Sequence, residues 1–219
     1  MEVFIVVTVL WIFSVCLHEF GHAWAAYCGG DTTVREKGYL TLNPIHYTNP
    51  VTSLLLPVVF MIWGGIGLPG GAVYIDRQLL RSRAWDTWVS LAGPAMNIVL
   101  VLWISFAFKV GLLRNDSQHL ASVCLGFLLQ LQVSAILLNL IPVPPLDGFQ
   151  AIAPWLPHNL RETLYSWSNV GSLILFMLLC FPNPVSEGFW NLVWAISGAF
   201  GVSPYMGYVG WKAFRFWEH

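Results

Sequence analysis

Long runs of apolar residues with few polar residues inside them dominate the chain and define its predicted elements. Three runs are long enough to cross a bilayer core, which takes about 20 helical residues; they are Val3–Tyr27, Trp88–Val110 and Leu120–Ile141. Two weaker candidates follow, Ser166–Phe181 and Phe189–Tyr205. The pattern predicts an all-α integral membrane protein built as a polytopic helical bundle.

One further apolar segment, Thr52–Gly67, is short and is broken by Pro57 and three glycines. An interrupted segment of this kind predicts a re-entrant stretch that dips into the membrane and returns. The stretch that follows, Gly71–Ile75, is β-like in composition. We therefore expect about five full spans, this re-entrant segment and a small β-like stretch.

Composition agrees with a membrane protein and excludes other classes. Hydrophobic residues make up 57% of the chain and charged residues 10%, whereas about a quarter of a soluble domain is charged. A net charge of −1 without a basic tract argues against a nucleic-acid partner. The four cysteines form no CxxC pair and mostly lie in apolar runs, which is typical of small buried hydrophobic side chains.

The first predicted span contains an unusual polar cluster, the sequence HEFGH from His18 to His22. Helical residues four apart lie on the same face, so both imidazoles can reach one metal ion. Glu19 can reach a water molecule on that ion, which completes the zinc-hydrolase pattern of two histidine ligands and a carboxylate base. A chance match to so short a pattern is the alternative, but ionisable groups inside apolar spans are costly and usually functional.

A catalytic zinc site generally has three protein ligands, so a third is needed. The polar loop after the first span offers Asp31, Glu36 and His46, although solvation alone would explain charges there. Asp147 is the stronger candidate, because it follows the sequence IPVPP at the end of an apolar span. Prolines end the helix and free backbone groups, which membrane proteins tolerate where those groups line a cavity. An ordinary Asp-Gly turn is the alternative.

Two asparagines also lie in the later spans. Asn97 belongs to the sequence LAGPAMN, and Asn139 begins the sequence NLIPVPPLDG. A kinked helix with one packed amide would explain the first of these sequences. Together, the two buried amides could orient the backbone of a substrate.

The three motifs, in this order, resemble those of the site-2 protease family of intramembrane zinc metalloproteases. HEFGH, LAGPAMN and NLIPVPPLDG are similar to the family's HExxH, GPxxN-type and NxxPxPxLDG motifs, and the resemblance covers about residues 12–150. The sequences LTLNP at 40–44 and PGGAV at 69–73 resemble the compact branch, which lacks PDZ and CBS domains.

This resemblance implies the roles of six residues. It implies that one zinc ion per chain is bound by His18, His22 and Asp147 and that Glu19 is the catalytic base. It also implies that Asn97 and Asn139 line the substrate site.

The chain departs from the family in one loop. It reads NPIHYTNP where similar sequences often read NPxxHxDP, so Tyr47 and Asn49 stand at the His and Asp positions and His46 is one place off. The resemblance therefore assigns no role to the residues of this loop, although the three core motifs are intact.

The sequence thus predicts a zinc-dependent intramembrane endopeptidase that cleaves transmembrane proteins in or near their membrane segments. A catalytically silent scaffold or chaperone of the same fold is the alternative; the retained Glu19 argues against it, and the altered loop argues for it. A carrier of metal or protons would need more polar residues along the C-terminal spans than they contain. The expected partners are a transmembrane substrate, the lipid bilayer and a membrane partner protein of unknown identity.

Shared binding of zinc by His22 and Asp147 would also constrain the topology. Both residues must lie toward one face, so an even number of crossings separates them, and this is why Thr52–Gly67 is predicted to be re-entrant. Five spans put the N-terminus outside and the C-terminus in the cytoplasm, with eight basic residues on the cytoplasmic side.

We expect one multi-pass domain over residues 1–219, with a catalytic core at about 1–150 and accessory spans at about 164–206. It would lie in a bacterial plasma membrane or an internal, thylakoid-like membrane, with the site nearer the cytoplasmic face.

Overall fold

Helices form most of the chain in the computed structural model, which describes residues 1–43 and 73–218. No β-strand occurs within these two ranges. The predicted re-entrant segment Thr52–Gly67 lies outside them, as do Tyr47 and Asn49. The helices are α1 (Glu2–Gly29), α2 (Thr33–Glu36), α3 (Arg83–Lys109), α4 (Leu120–Asn139), α5 (Asp147–Ile152), α6 (His158–Ser166), α7 (Ser168–Cys180), α8 (Pro184–Ala199) and α9 (Pro204–Phe214).

Three helices, α1, α3 and α4, are long and apolar enough to cross a membrane. Helix α1 ends where Gly30 takes a φ of 122°, a conformation that a glycine adopts without steric cost. Helix α3 begins at Ser82, whose hydroxyl accepts a hydrogen bond from the backbone N–H of Trp85, as helix-capping serines do. These local signals give both helices defined ends.

Helix α4 forms the centre of the bundle, and α1, α3, α8 and α9 pack around it. Its middle is buried almost without interruption from Ser122 to Ala135. The outward faces of the surrounding helices instead expose large apolar side chains, among them Phe13, Trp103 and Phe106. Exposed apolar surface on this scale is typical of a face that meets lipid.

Helices α1 and α3 approach each other very closely at Gly21. A Cβ atom placed there would lie 2.7 Å from the backbone oxygen of Ala92 and 2.6 Å from the Met96 side chain. Small residues at such crossings let two helix backbones pack closely in a membrane. This contact fixes the position of α1 against α3.

The predicted count of five full spans is not supported by the structure. The run Ser166–Phe181 forms the 13-residue helix α7, which bends by 58° from α6 at Trp167, and the run Phe189–Tyr205 is divided between α8 and α9. Three helices of the described ranges meet the length and composition of a span, or four if the bent pair counts as one. Apolar composition alone did not reveal the bend or the division.

The C-terminal tail lies at the same end of the bundle as the N-terminus, so the structure does not support the prediction that they lie on opposite sides. The ring centroids of Phe214, Phe216 and Trp217 lie 5.0, 5.7 and 5.8 Å from that of Phe4. Lys212 and Arg215 therefore belong with the N-terminal end. Six of the ten basic residues, rather than eight, remain with the loops at the other end of α1.

The predicted β-like stretch is not supported either. Residues 73–76 form no strand, and the remainder of Gly71–Ile75 lies outside the described residues. The segment is held by two carboxylates instead. Asp31 accepts a hydrogen bond from the backbone N–H of Asp76 at 2.8 Å, and Glu19 accepts one from the backbone N–H of Val73 at 3.3 Å.

Candidate active site

Two histidine rings lie one above the other on α1, as their spacing predicts. The Nε2 atoms of His18 and His22 are 3.0 Å apart, and the ring planes are nearly perpendicular, at 80°. Both residues are buried, with 5% and 8% of their surface exposed. The apolar helix thus presents two ring nitrogens at one point.

Asp147 reaches the same point from a different part of the chain. It is the first residue of α5, directly after the proline-containing turn that follows α4. Its Oδ2 lies 3.2 Å from the Nε2 of His18, and its Oδ1 lies 3.4 Å from the Nε2 of His22. The ligand atoms of these three residues all lie within 4.8 Å of one another. The turn and the start of α5 therefore bring the distant carboxylate onto the histidine pair.

A backbone carbonyl fixes the orientation of the His22 ring. The Nδ1 of His22 lies 2.7 Å from the carbonyl oxygen of Val89 on α3. Because a carbonyl can only accept, Nδ1 carries the hydrogen, and the neutral ring has its lone pair on Nε2. Metal-binding histidines typically make this kind of outer hydrogen bond.

Helix α3 passes the two rings at Gly93, where there is no room for a side chain. A Cβ atom at this position would collide with the Nε2 atoms of both His18 and His22. Pro94 follows directly inside the helix. A glycine is therefore needed for α3 to pass this close to the nitrogen atoms.

Hydrogen bonds from α3 also hold the segment that carries Asp147. The hydroxyl of Thr87 donates to the backbone oxygen of Ala151 at 2.7 Å and accepts from the Nε1 of Trp155 at 2.9 Å. Close packing acts at the other end, because a Cβ atom at Gly148 would collide with the backbone oxygen of Leu140. These contacts fix the short helix α5 relative to α3 and α4.

The three donor groups fit a zinc ion. Two atoms bound tetrahedrally at about 2.0–2.1 Å from zinc lie about 3.3–3.4 Å apart; the two histidine nitrogens are 3.0 Å apart, and each lies 3.2 or 3.4 Å from a different oxygen of the Asp147 carboxylate. Burial raises the pKa of the Asp147 carboxyl, but the neighbouring His22 and His18 imidazoles lower the pKa by a larger amount. The pKa of Asp147 therefore lies below its ordinary range. Two imidazoles and a carboxylate are also the donors of known catalytic zinc sites.

Glu19 lies beside this candidate metal-binding group and faces a cleft of about 430 Å³. Only 5% of its surface is exposed. His18, His22, Asp147 and Asn139 line the same cleft. A carboxylate, a candidate metal site and space for a peptide therefore occur together.

The two predicted amides take different positions. Asn139 lines the cleft, whereas Asn97 is not among its lining residues and instead lines a small internal cavity on another side of His18. Among the other candidate ligands, Asp31 is fully buried and accepts hydrogen bonds from Thr33 and Asp76. His46 lies outside the described residues.

Sequence reasoning missed three contributions to the site. Gly93 and Thr87 gave no signal of their contacts, although Gly93 stands beside Pro94 in a motif already of interest. The carbonyl of Val89 gave no signal in the sequence either, because every residue type carries the same backbone carbonyl. Only the packing of α3 against α1 and α5 brings these groups to the site.

Comparison with known proteins gives matches that cover most of this chain and most of each relative. The chain is 43% identical over 219 residues to a protein of Mycolicibacterium smegmatis named "Putative zinc metalloprotease Rip2", covering 99% of this chain and 82% of that protein. It is 39% identical over 217 residues to the protein of the same name from Mycobacterium tuberculosis H37Rv, with the same two coverages. It is 30% identical over 178 residues to "Putative zinc metalloprotease YwhC" of Bacillus subtilis, covering 78% of each chain.

The chain belongs to the site-2 protease family. The family resemblance of its three motifs is thereby confirmed. No family model matches the sequence, and no solved structure matches it. The distances and contacts described above are therefore those of the candidate site in a member of this family.

Proposed function

We propose that this chain is a zinc-dependent intramembrane endopeptidase that hydrolyses peptide bonds in or near the transmembrane segments of membrane proteins. The observation that carries the proposal is the convergence of ligand atoms of His18, His22 and Asp147 within 4.8 Å of one another, beside the buried Glu19. The two histidines and Glu19 lie on α1, a helix apolar enough to span a membrane. The names of the relatives, which describe zinc metalloproteases, support the same activity.

In this proposal the three ligand residues hold one zinc ion per chain through Nε2 of each histidine and the Asp147 carboxylate. Zinc bound there would activate water as a nucleophile near neutral pH and polarise the scissile carbonyl. The His22 ring keeps its Nε2 lone pair directed into the site through its Nδ1–H bond to Val89. Asp147 would contribute one negative charge against the two positive charges of the ion.

Glu19 acts as the general base and then as the general acid. Its carboxylate accepts the proton of the attacking water and passes it to the departing amine nitrogen. One of its oxygens already accepts the Val73 N–H, which holds the carboxylate in the cleft. Asn139, which lines the cleft, would contact the peptide backbone of the substrate.

The proposed setting is a multi-pass protein of a bacterial plasma membrane or an internal membrane, with the site toward the cytoplasm. Six of the ten basic residues fall at the end of α1 where Asp147 joins the histidines, and the positive-inside rule favours the cytoplasm for that end. A transmembrane protein is the proposed substrate, since Glu19 and both histidines, which line the cleft, lie on a helix long and apolar enough to span a membrane.

The experiment compares wild type with Glu19→Gln and Asp147→Ala, purified in detergent and mixed with a model transmembrane substrate. Glu187→Gln is a matched control, because this exposed glutamate lies in the first turn of α8. We expect Glu19→Gln to keep zinc and lose cleavage, and Asp147→Ala to lose both. Cleavage by Glu19→Gln at the wild-type rate would contradict the role of Glu19 as the base, whereas a zinc-loaded wild type that does not cleave would contradict the enzyme proposal and favour a scaffold, which needs no base. Full zinc occupancy in Asp147→Ala would contradict the choice of third ligand.

A further inference from the structure

A small cavity lies behind the candidate metal-binding group, between α1, α3 and α4. Its volume is about 10 Å³, close to the minimum of about 10–15 Å³ that one water molecule needs. Its wall contains two small aliphatic side chains and five larger or polar residues: Trp11, Ser14, His18, Asn97 and Asn139. His18 and Asn139 also line the substrate cleft, so they separate the two spaces.

Three polar atoms of this wall have no hydrogen-bond partner within the described part of the chain. They are the donors Nε1 of Trp11 and Nδ2 of Asn139 and the acceptor Oδ1 of Asn97. The three side chains are 2%, 2% and 5% exposed. Buried polar groups in proteins almost always have a partner, whether protein or ordered water, so these three atoms indicate a polar occupant.

Ser14 supplies a fourth bonding position. Its hydroxyl donates to the backbone oxygen of Trp11 at 2.7 Å and accepts from the Nε2 of Gln132 at 2.8 Å. A hydroxyl oxygen has two lone pairs, so one remains. The wall therefore offers two donors, on Trp11 and Asn139, and two acceptors, on Asn97 and Ser14. A water molecule accepts two hydrogen bonds and donates two.

We propose that this cavity holds one ordered water molecule and that Asn97 and Trp11 are positioning residues, which hold His18 in place through that water. The inference rests on the proposed function for the role of His18 as a zinc ligand. It gives Asn97 a different task from the substrate contact that the family resemblance implies. Its amide oxygen would bond to the water, and the filled cavity would support the side of the His18 ring that borders it.

The variants Asn97→Leu and Trp11→Phe test the proposal, because the first removes the amide at similar size and the second removes the indole N–H together with part of the ring. Trp24→Phe, an exposed position on the same helix, and Asn191→Leu, exposed on α8, are the matched controls. Zinc affinity is measured on the full purified chain by competition with a chelator, and the Michaelis constant is measured with a model transmembrane substrate.

We expect both cavity variants to bind zinc about tenfold more weakly, the size of other effects from outside the ligand set, because without the water the bordering side of the His18 ring loses its packing support; the controls should match wild type. The Michaelis constant of Asn97→Leu should stay within about twofold of wild type if Asn97 does not touch substrate. Unchanged zinc affinity with a raised Michaelis constant would overturn the proposal and make Asn97 a substrate contact.

A map of the wild-type protein that resolves ordered water provides a test without any variant. We expect a peak about 2.7–3.2 Å from the polar atoms of Trp11, Ser14, Asn97 and Asn139. An empty cavity would overturn the inference even if zinc and cleavage were as proposed. A wild type that binds no zinc would contradict the proposed function and the role given to His18, whereas the water peak would still decide the occupant of the cavity.

Discussion

Replacing Gly93 by alanine adds a single methyl group where α3 passes closest to the two histidines. The new Cβ atom would lie 2.6 Å from the Nε2 of His18 and would also collide with the Nε2 of His22. Ordinary contacts of a Cβ atom begin at 3.4 Å. The His18 nitrogen must therefore move by about 0.8 Å, or α3 must withdraw by a similar distance.

A shift of this size matters more for metal binding than for folding. Ligand distances in a metal site are held to within about 0.2 Å, so a displaced Nε2 leaves the coordination sphere. We expect zinc affinity to fall at least about 100-fold, the upper end of the effect of outer-sphere changes, which corresponds to about 3 kcal/mol. The cost in folding stability should be about 1–3 kcal/mol, as for other overpacked sites.

The assay is chelator competition on purified Gly93→Ala, with thermal unfolding measured on the same sample. Gly198→Ala is the matched control, since Gly198 lies in α8 and a Cβ atom there would meet nothing within 4 Å. The control should keep wild-type zinc affinity. If Gly93→Ala also kept it, the close approach of α3 to the histidines would not be the feature that shapes the site.

Two further predictions concern the support of Asp147 and the topology. Thr87→Val removes the hydroxyl that bonds to Ala151 and Trp155, so it should lower the free energy of unfolding by about 1–3 kcal/mol, at about 0.5–1.5 kcal/mol for each bond, and should weaken zinc binding. The exposed control Thr163→Val should have neither effect. An unchanged Tm together with unchanged zinc affinity in Thr87→Val would refute the support role. In a background without native cysteines, Glu36→Cys and Gln78→Cys should react with a membrane-impermeant thiol reagent from the cytoplasmic side and Glu218→Cys from the opposite side. Reaction of all three from one side would contradict the packing of the tail against Phe4.

Much of the site could be predicted from the sequence because its strongest signals are local. The helical period alone places His18 and His22 on one face, and the prolines before Asp147 mark the end of α4. Each of these rules involves a few neighbouring residues. The three long helices follow in the same way from uninterrupted apolar runs.

The remainder depended on packing between distant segments. Hydropathy indicated a span at Ser166–Phe181, but it carries no information on the bend at Trp167. The sequence placed the C-terminus at the opposite end from the N-terminus, yet three aromatic rings of the tail pack on Phe4. The apolar residues near Val73 suggested a strand, whereas hydrogen bonds to Asp31 and Glu19 determine their course.

The hydrogen bond from His22 to the Val89 carbonyl has a consequence for how the site tolerates mutation. Because the acceptor is a backbone atom, no exchange of the side chain at position 89 deletes it, and apolar residues of similar volume can replace the buried valine there. Gly93, one helical turn further along α3, has no such freedom. Random mutagenesis of this helix should therefore recover variants at position 89 and none at position 93, so that genetic change at this site is restricted chiefly by space rather than by the chemistry of a supporting side chain.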